Sequence, residues 1–136
     1  MYKLQFDGAS KGNPGICGAG FVIYRDNTTI ERGYAFISLK NTNNFAEYSA
    51  LLLGIKKVIE LEIKDIIVEG DSELIIKQLN KVYDVKSPNL LPIYDEIIEE
   101  LMFFDSFKFK HIKRDKNVLA DKLANHAIKE YYKNKE

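Results

Sequence analysis

The chain has a single cysteine, Cys17, so no internal disulfide can staple it. That fits a reducing compartment, and an intracellular, cytoplasmic protein is expected. Cys17 itself reads as a small buried hydrophobe in a strand. Tryptophan is absent, and histidine occurs only at His111 and His126. Without a cluster of cysteine or histidine, nothing suggests zinc. No apolar run approaches the roughly 18–20 residues that a membrane helix needs. The segment Met1–Asp7 lacks the apolar core of a secretory signal. No association with membranes is therefore expected. Net charge is absent too, at zero for pH 7, but the charge is unevenly spread. Between Ser106 and Glu136 nine Lys and Arg stand against four Asp and Glu. A basic end on a neutral chain suits a polyanionic partner, although a solvated lysine-rich helix would look the same.

What is present is globular: 46% hydrophobic and 29% charged residues over 136 positions. That is enough for a proper core, and residues 1–136 are expected to form one domain. Tyr2–Asp7 alternates apolar and polar, as a half-buried strand does. The glycine-rich stretch Gly8–Gly15 is expected to turn the chain. Cys17–Tyr24 and Thr29–Ile37 read as two more strands around Arg25-Asp26-Asn27, which suggests an antiparallel meander. Helical periodicity runs from Asn43 to about Leu61. Asp65–Gly70 reads as a strand buried on both faces. Ser72–Asn80 is helical, Ser87-Pro88 breaks the chain, and Leu90–Met102 is helical again. Phe107–Ile112 reads as a strand and Asn117–Tyr132 as a last helix. The order implies an α/β fold: a five-stranded mixed sheet, three strands antiparallel and then two parallel, flanked by helices.

One residue breaks the helical pattern. Three, four, seven and eleven positions after Glu47 come Ala50, Leu51, Gly54 and Val58, an apolar stripe. Glu47 thus occupies a core-facing row, where a lone carboxylate is costly unless protonated, paired or bound to a cation. Three more acids fall near element ends. Asp7 is expected to close the first strand and Asp71 the fourth, with Glu47 in the first turn of its helix and Asp121 near the start of the last one. In open sheets with parallel strands, sites gather at the carboxyl ends of the strands. Asp71 could instead cap a helix, Asp121 could favour a helix dipole, and Asp7 could be a turn aspartate. One common cause is the better account: a metal site. Oxygen-only ligands select hard cations, Mg²⁺ or Mn²⁺.

Four motifs resemble those of type 1 ribonuclease H, in particular its compact archaeal and plant-like forms: FDGASKGNPGICGAG (Phe6–Gly20), TNNFAEYSALLLG (Thr42–Gly54), EGDSELIIKQLN (Glu69–Asn80) and HIKRDKNVLADKLANHA (His111–Ala127). The resemblance covers nearly the whole chain and implies a ribonuclease H-like fold. It implies that Asp7, Glu47, Asp71 and Asp121 are the catalytic, metal-binding carboxylates. It also implies two Mg²⁺ ions, with Mn²⁺ as a substitute, and the RNA strand of an RNA–DNA hybrid as substrate, cut to 3′-hydroxyl and 5′-phosphate ends.

The 2′-hydroxyl distinguishes RNA from DNA. Gly8 offers close backbone approach, and Asn13, Asn43 and Asn44 can donate and accept, although turn formation and capping compete as their roles. Thr42 resembles a family position near the DNA-strand phosphate. Arg114 stands in a short loop where larger relatives carry a mobile histidine, and Asn117 in the same motif joins the substrate-binding candidates. The basic insertion of those larger relatives is absent. The alternatives are a related nuclease acting on double-stranded RNA or other duplexes, and a non-catalytic hybrid-binding module. A sugar-kinase or actin-like phosphotransferase needs two domains. The glycine order in Gly8–Gly20 also differs from a dinucleotide fingerprint. A monomer with no obligatory protein partner is expected.

Overall fold

The computed structural model describes residues 1–135. The chain runs β1 (Tyr2–Gly12), β2 (Gly15–Arg25), β3 (Thr28–Asn41), α1 (Asn43–Glu60), β4 (Asp65–Gly70), α2 (Glu73–Leu79), α3 (Leu91–Glu100), β5 (Ser106–His111) and α4 (Val118–Lys135). Single 3₁₀ turns follow α3 (Leu101–Phe103) and precede α4 (Arg114–Lys116). The five strands form one mixed sheet in the order β3-β2-β1-β4-β5. β1, β2 and β3 pair antiparallel, whereas β4 lies parallel to both β1 and β5. Fold class and element order match the expectation. Among the described residues, no helix is long and apolar enough to cross a membrane.

The first strand differs from its expected form. It does not end at Asp7 but continues to Gly12, because every residue from Tyr2 to Gly12 finds a partner on β2. The turn shrinks to Asn13-Pro14, with Gly12 at φ +96°, a conformation that glycine adopts without steric cost. Asp7 is therefore a mid-strand residue on the β2 side. On the other side β1 pairs with β4 only over Lys3–Gln5. β4 stops at Gly70 while β1 runs on, and this difference in length opens a notch.

The core lies on the face that carries α1. Leu51, Ile55 and Val58 of α1 pack with Leu4, Phe6, Phe21 and Ile23 of the sheet, all essentially without exposure. Burying each such side chain contributes about 1.5–3 kcal/mol. α4 covers β2, β1 and β3 from the other face. Both helices lie close because glycines make room. A Cβ on Gly8 would overlap the backbone of Ala46 and Glu47, and one on Gly20 the carbonyl of Ala120. Gly8 therefore serves first to seat α1, rather than to expose an amide to a sugar-phosphate chain.

Candidate active site

The parallel register brings the first pair of acids together. Gln5 is paired with Glu69, so two residues further on Asp7 stands level with Asp71, just past the end of β4. Glu47 comes from α1. It is the fifth residue of that helix, one turn later than expected, since Thr42 caps the helix by accepting from the Phe45 amide at 3.1 Å. Oxygens of Asp7, Glu47 and Asp71 lie within 4.8 Å of one another. Asp121, in the first turn of α4, stands outside that tight group but within hydrogen-bonding reach of Asp7. Asp71 is not a cap: Ser72 caps α2 by accepting from the Ile75 amide at 3.3 Å. Its carboxylate is left free to face the notch.

Asp7 and Glu47 are 5% and 3% exposed, and no cation pairs with either. Among the described residues none of the four acids makes a salt bridge. The protons respond accordingly. Burial, then the neighbouring Glu47 and Asp71 charges, push the Asp7 carboxyl up to about 10. Burial pushes Glu47 up to about 7, opposed by bonds from Asp7 and the Gly8 amide. Burial and like charges at close range thus oppose ionising both acids together. An all-oxygen donor set that must be neutralised fits a hard divalent cation.

Around the acids is a cavity of about 440 Å³. Gly8 donates its amide to Glu47 Oε1 and fixes that carboxylate. Arg114 lines the wall, and its charge lowers the Glu47 pKa. Asn43 lines it from the helix start. The other expected substrate contacts fall less directly on it. Asn13 accepts from the Asn43 amide at 3.0 Å and thereby holds the β1–β2 turn against α1. Thr42 is occupied as the cap, and Asn44 is half-buried beside it. His111 bonds the Asp71 carbonyl through Nε2 at 3.2 Å and does not line the cavity.

Asn117 requires a correction. It is not a substrate contact, because it has no exposed surface. Its Nδ2 donates to the Phe6 carbonyl at 2.9 Å and to Asp71 Oδ2 at 3.1 Å. It orients a carboxylate instead. Asn125 does the same for Asp121, donating to its carbonyl at 2.9 Å and to Oδ1 at 3.3 Å. The sequence reading missed Asn125. Its spacing, four after Asp121 on one helical face, is the signal that could have found it. A larger, apolar hollow of about 690 Å³ lies at the opposite end of the sheet, beside Tyr2, Ile67 and Phe107, and contains no comparable cluster.

Residues 5–127 match the family described as reverse transcriptase-like. The chain is 38% identical over 124 residues to ribonuclease HI of Halobacterium salinarum, covering 90% of this chain and 62% of that relative. The chain thus spans about three fifths of that curated relative. The crystal structure of RNase H1 from the same archaeon superposes with a TM-score of 0.91 at 36% identity, covering 95% of this chain and 98% of that one. LC11-RNase H1, solved in complex with an RNA/DNA hybrid, gives 0.91 at 34% identity, covering 97% and 99%. With a five-stranded sheet, a carboxylate notch and these likenesses in agreement, the chain belongs to the type 1 ribonuclease H family within the reverse transcriptase-like group.

Proposed function

We propose that this chain is an endonuclease that hydrolyses the RNA strand of RNA–DNA hybrids with the help of two Mg²⁺ ions, leaving 3′-hydroxyl and 5′-phosphate ends. The observation that carries the reading is the group of three carboxylates within 4.8 Å, two of them buried and in no salt bridge among the described residues. A binding module would gain nothing from such a cluster facing phosphates. Asp7, Glu47, Asp71 and Asp121 would hold the ions, and Mn²⁺ shares the same donor preference. Bound there, the ions would supply Lewis acidity to the attacking water and to the leaving oxygen of an in-line displacement.

The remaining work falls to the chain. The Gly8 amide, Asn117 and Asn125 hold three of the four carboxylates in fixed orientations, so little reorganisation is needed when substrate arrives. Arg114 places a positive charge on the cavity wall, which offsets the repulsion between the acids and an incoming phosphate. Asn43 can donate to and accept from a 2′-hydroxyl at the rim. Thr42, one residue before it, is the position whose resemblance implies a contact with the DNA-strand phosphate. The protein would act as a monomer inside the cell, without an obligatory partner.

The test is cleavage, in Mg²⁺ and in EDTA, of four matched duplexes: RNA–DNA, RNA–RNA, DNA–DNA and a DNA duplex with one embedded ribonucleotide. Cutting of the RNA–DNA duplex alone, at its RNA strand and only with metal, is expected. Preferential cutting of RNA–RNA would replace this substrate assignment, and no cutting of any duplex would overturn the catalytic reading.

A further inference from the structure

A second groove adjoins the acidic cavity and shares Asp121 and Asn125 with it. It measures about 700 Å³ and runs between β3 and α4. On the helix side it is lined by Lys122, His126 and Lys129. These positions are four and three residues apart and form one row, which Lys133 continues. From Lys122 to Lys133 the row extends about 16 Å away from the acids at 1.5 Å per residue. On the strand side stand Arg32 and Tyr34.

Two properties of this groove point the same way. It is cationic and unneutralised: Arg32, Lys122 and Lys129 make no salt bridge among the described residues. Asp121 marks the end shared with the acidic cavity, and Glu130, which flanks the groove, is already engaged by His126 at 3.2 Å and the Tyr34 hydroxyl at 3.3 Å. It also presents aromatic surface. Arg32, Tyr34 and Phe36 share one face of the edge strand; Arg32 and Tyr34 line the groove and Phe36 lines the adjoining hollow, Tyr34 being 40% and Phe36 39% exposed. Tyr34 meets the His126 ring edge-on at 4.6 Å, and Phe36 stacks on Tyr131 at 4.4 Å, so both rings are held in place.

We propose that this groove binds unpaired RNA: the single-stranded continuation of the strand that is cut at the acidic site. Cations alone would suit any polyanion. Fixed, exposed aromatic faces beside them suit a strand whose bases are free to stack, which the bases of a duplex are not. The shared Asp121 and Asn125 make the groove continuous with the site and assign it to the same strand. The inference extends the nuclease reading and rests on it for the strand's identity.

The test separates binding from cleavage. Fluorescence anisotropy in EDTA compares a blunt RNA–DNA hybrid with hybrids whose RNA strand carries a ten-nucleotide single-stranded extension at its 5′ or 3′ end. One extended hybrid should bind wild type five- to tenfold more tightly than the blunt one. Lys122→Gln with Lys129→Gln should erase that gain, leave blunt binding within twofold, and reduce the salt slope of the extended hybrid by roughly 1.4, two contacts at about 0.7 each. Tyr34→Leu should lose most of the gain while keeping the salt slope. Equal affinity of wild type for all three hybrids, or a gain that survives the double substitution, would overturn the groove. Cleavage of the blunt hybrid in Mg²⁺ is scored separately. A preserved extension effect with no cleavage would overturn the catalytic reading alone.

Discussion

Asn117 Nδ2 donates to Asp71 Oδ2 at 3.1 Å while also donating to the Phe6 carbonyl at 2.9 Å. One buried amide thus joins the residue before α4 to the middle of β1 and the end of β4, and aims a carboxylate into the notch. Asn117→Ala should leave the Phe6 carbonyl without this partner and cost about 1–3 kcal/mol, visible as a melting temperature several degrees lower. Released from its anchor, Asp71 should also serve the reaction less well, so kcat should fall with KM nearly unchanged. Asn117→Asp keeps the shape but adds a fifth carboxylate to the site, set against Asp71 and the Phe6 carbonyl. It should be the more severe variant in both thermal melting and steady-state kinetics on a hybrid.

Asp7→Asn should abolish cleavage and leave the fold intact. The amide is nearly isosteric, and burial already pushes the Asp7 carboxyl up to about 10, so folding loses little. Binding a cation loses much, because one neutral oxygen replaces a charged ligand. Glu47→Gln and Asp71→Asn should be comparably severe, since ligands acting as a unit are not additive. Residual activity of Asp7→Asn within tenfold of wild type would sink the metal assignment.

The raised carboxyls tie stability to pH. Both groups hold a proton more tightly when folded than at their ordinary values of 3.8 and 4.5, so protonation favours the folded state. That stabilisation is complete below those values. It is lost as pH rises, through about 7 for Glu47 and onward to about 10 for Asp7. In EDTA the melting temperature should therefore fall between pH 5 and pH 8. Mg²⁺, which binds the folded notch and not the unfolded chain, should raise it most at the alkaline end. A quadruple Asn and Gln variant of the four acids should lose both responses. Thermal scans across that pH range, with and without Mg²⁺, measure this directly.

The same residues show what the sequence made legible. Glu47 stood out because helical period three and four placed it in an apolar row, and the structure buries it. Element order and sheet arrangement followed from the change of period between strands and helices. What escaped depends on pairing at a distance. The extension of β1 past Asp7 comes from partners on β2, whose glycines weaken any local strand signal. Gly8 looked like a turn residue, yet the constraint on it is the α1 backbone 38 residues further along the sequence. Asn117 read as a substrate contact, because a neighbour such as the Phe6 carbonyl cannot be read from local spacing.

The basic run before α4 divides into two groups with different expected effects. Lys108 and Lys110 lie on β5 in register with Ile67 and Glu69, away from the acids. Lys113, Arg114 and Lys116 belong to the turn that leads into Asn117 and Asp121, and of these Arg114 lines the cavity. Neutralising Lys113 and Lys116 should weaken hybrid binding and not chemistry: KM rises, kcat stays near wild type, and each lost phosphate contact lowers the salt slope by roughly 0.7–0.9. Arg114→Ala should lower kcat as well. Its charge offsets the acids that repel phosphate and favours ionised Glu47, so without it Glu47 should hold its proton to higher pH. The pH–rate profile of Arg114→Ala should accordingly shift its acidic limb upward, whereas Arg114→Lys, which keeps the charge, should restore much of the wild-type limb. Steady-state kinetics at two salt concentrations separate these effects. An unchanged salt slope in the double lysine variant would make that pair a solvated surface. An unshifted acidic limb in Arg114→Ala would show that its charge does not reach the carboxylates during turnover.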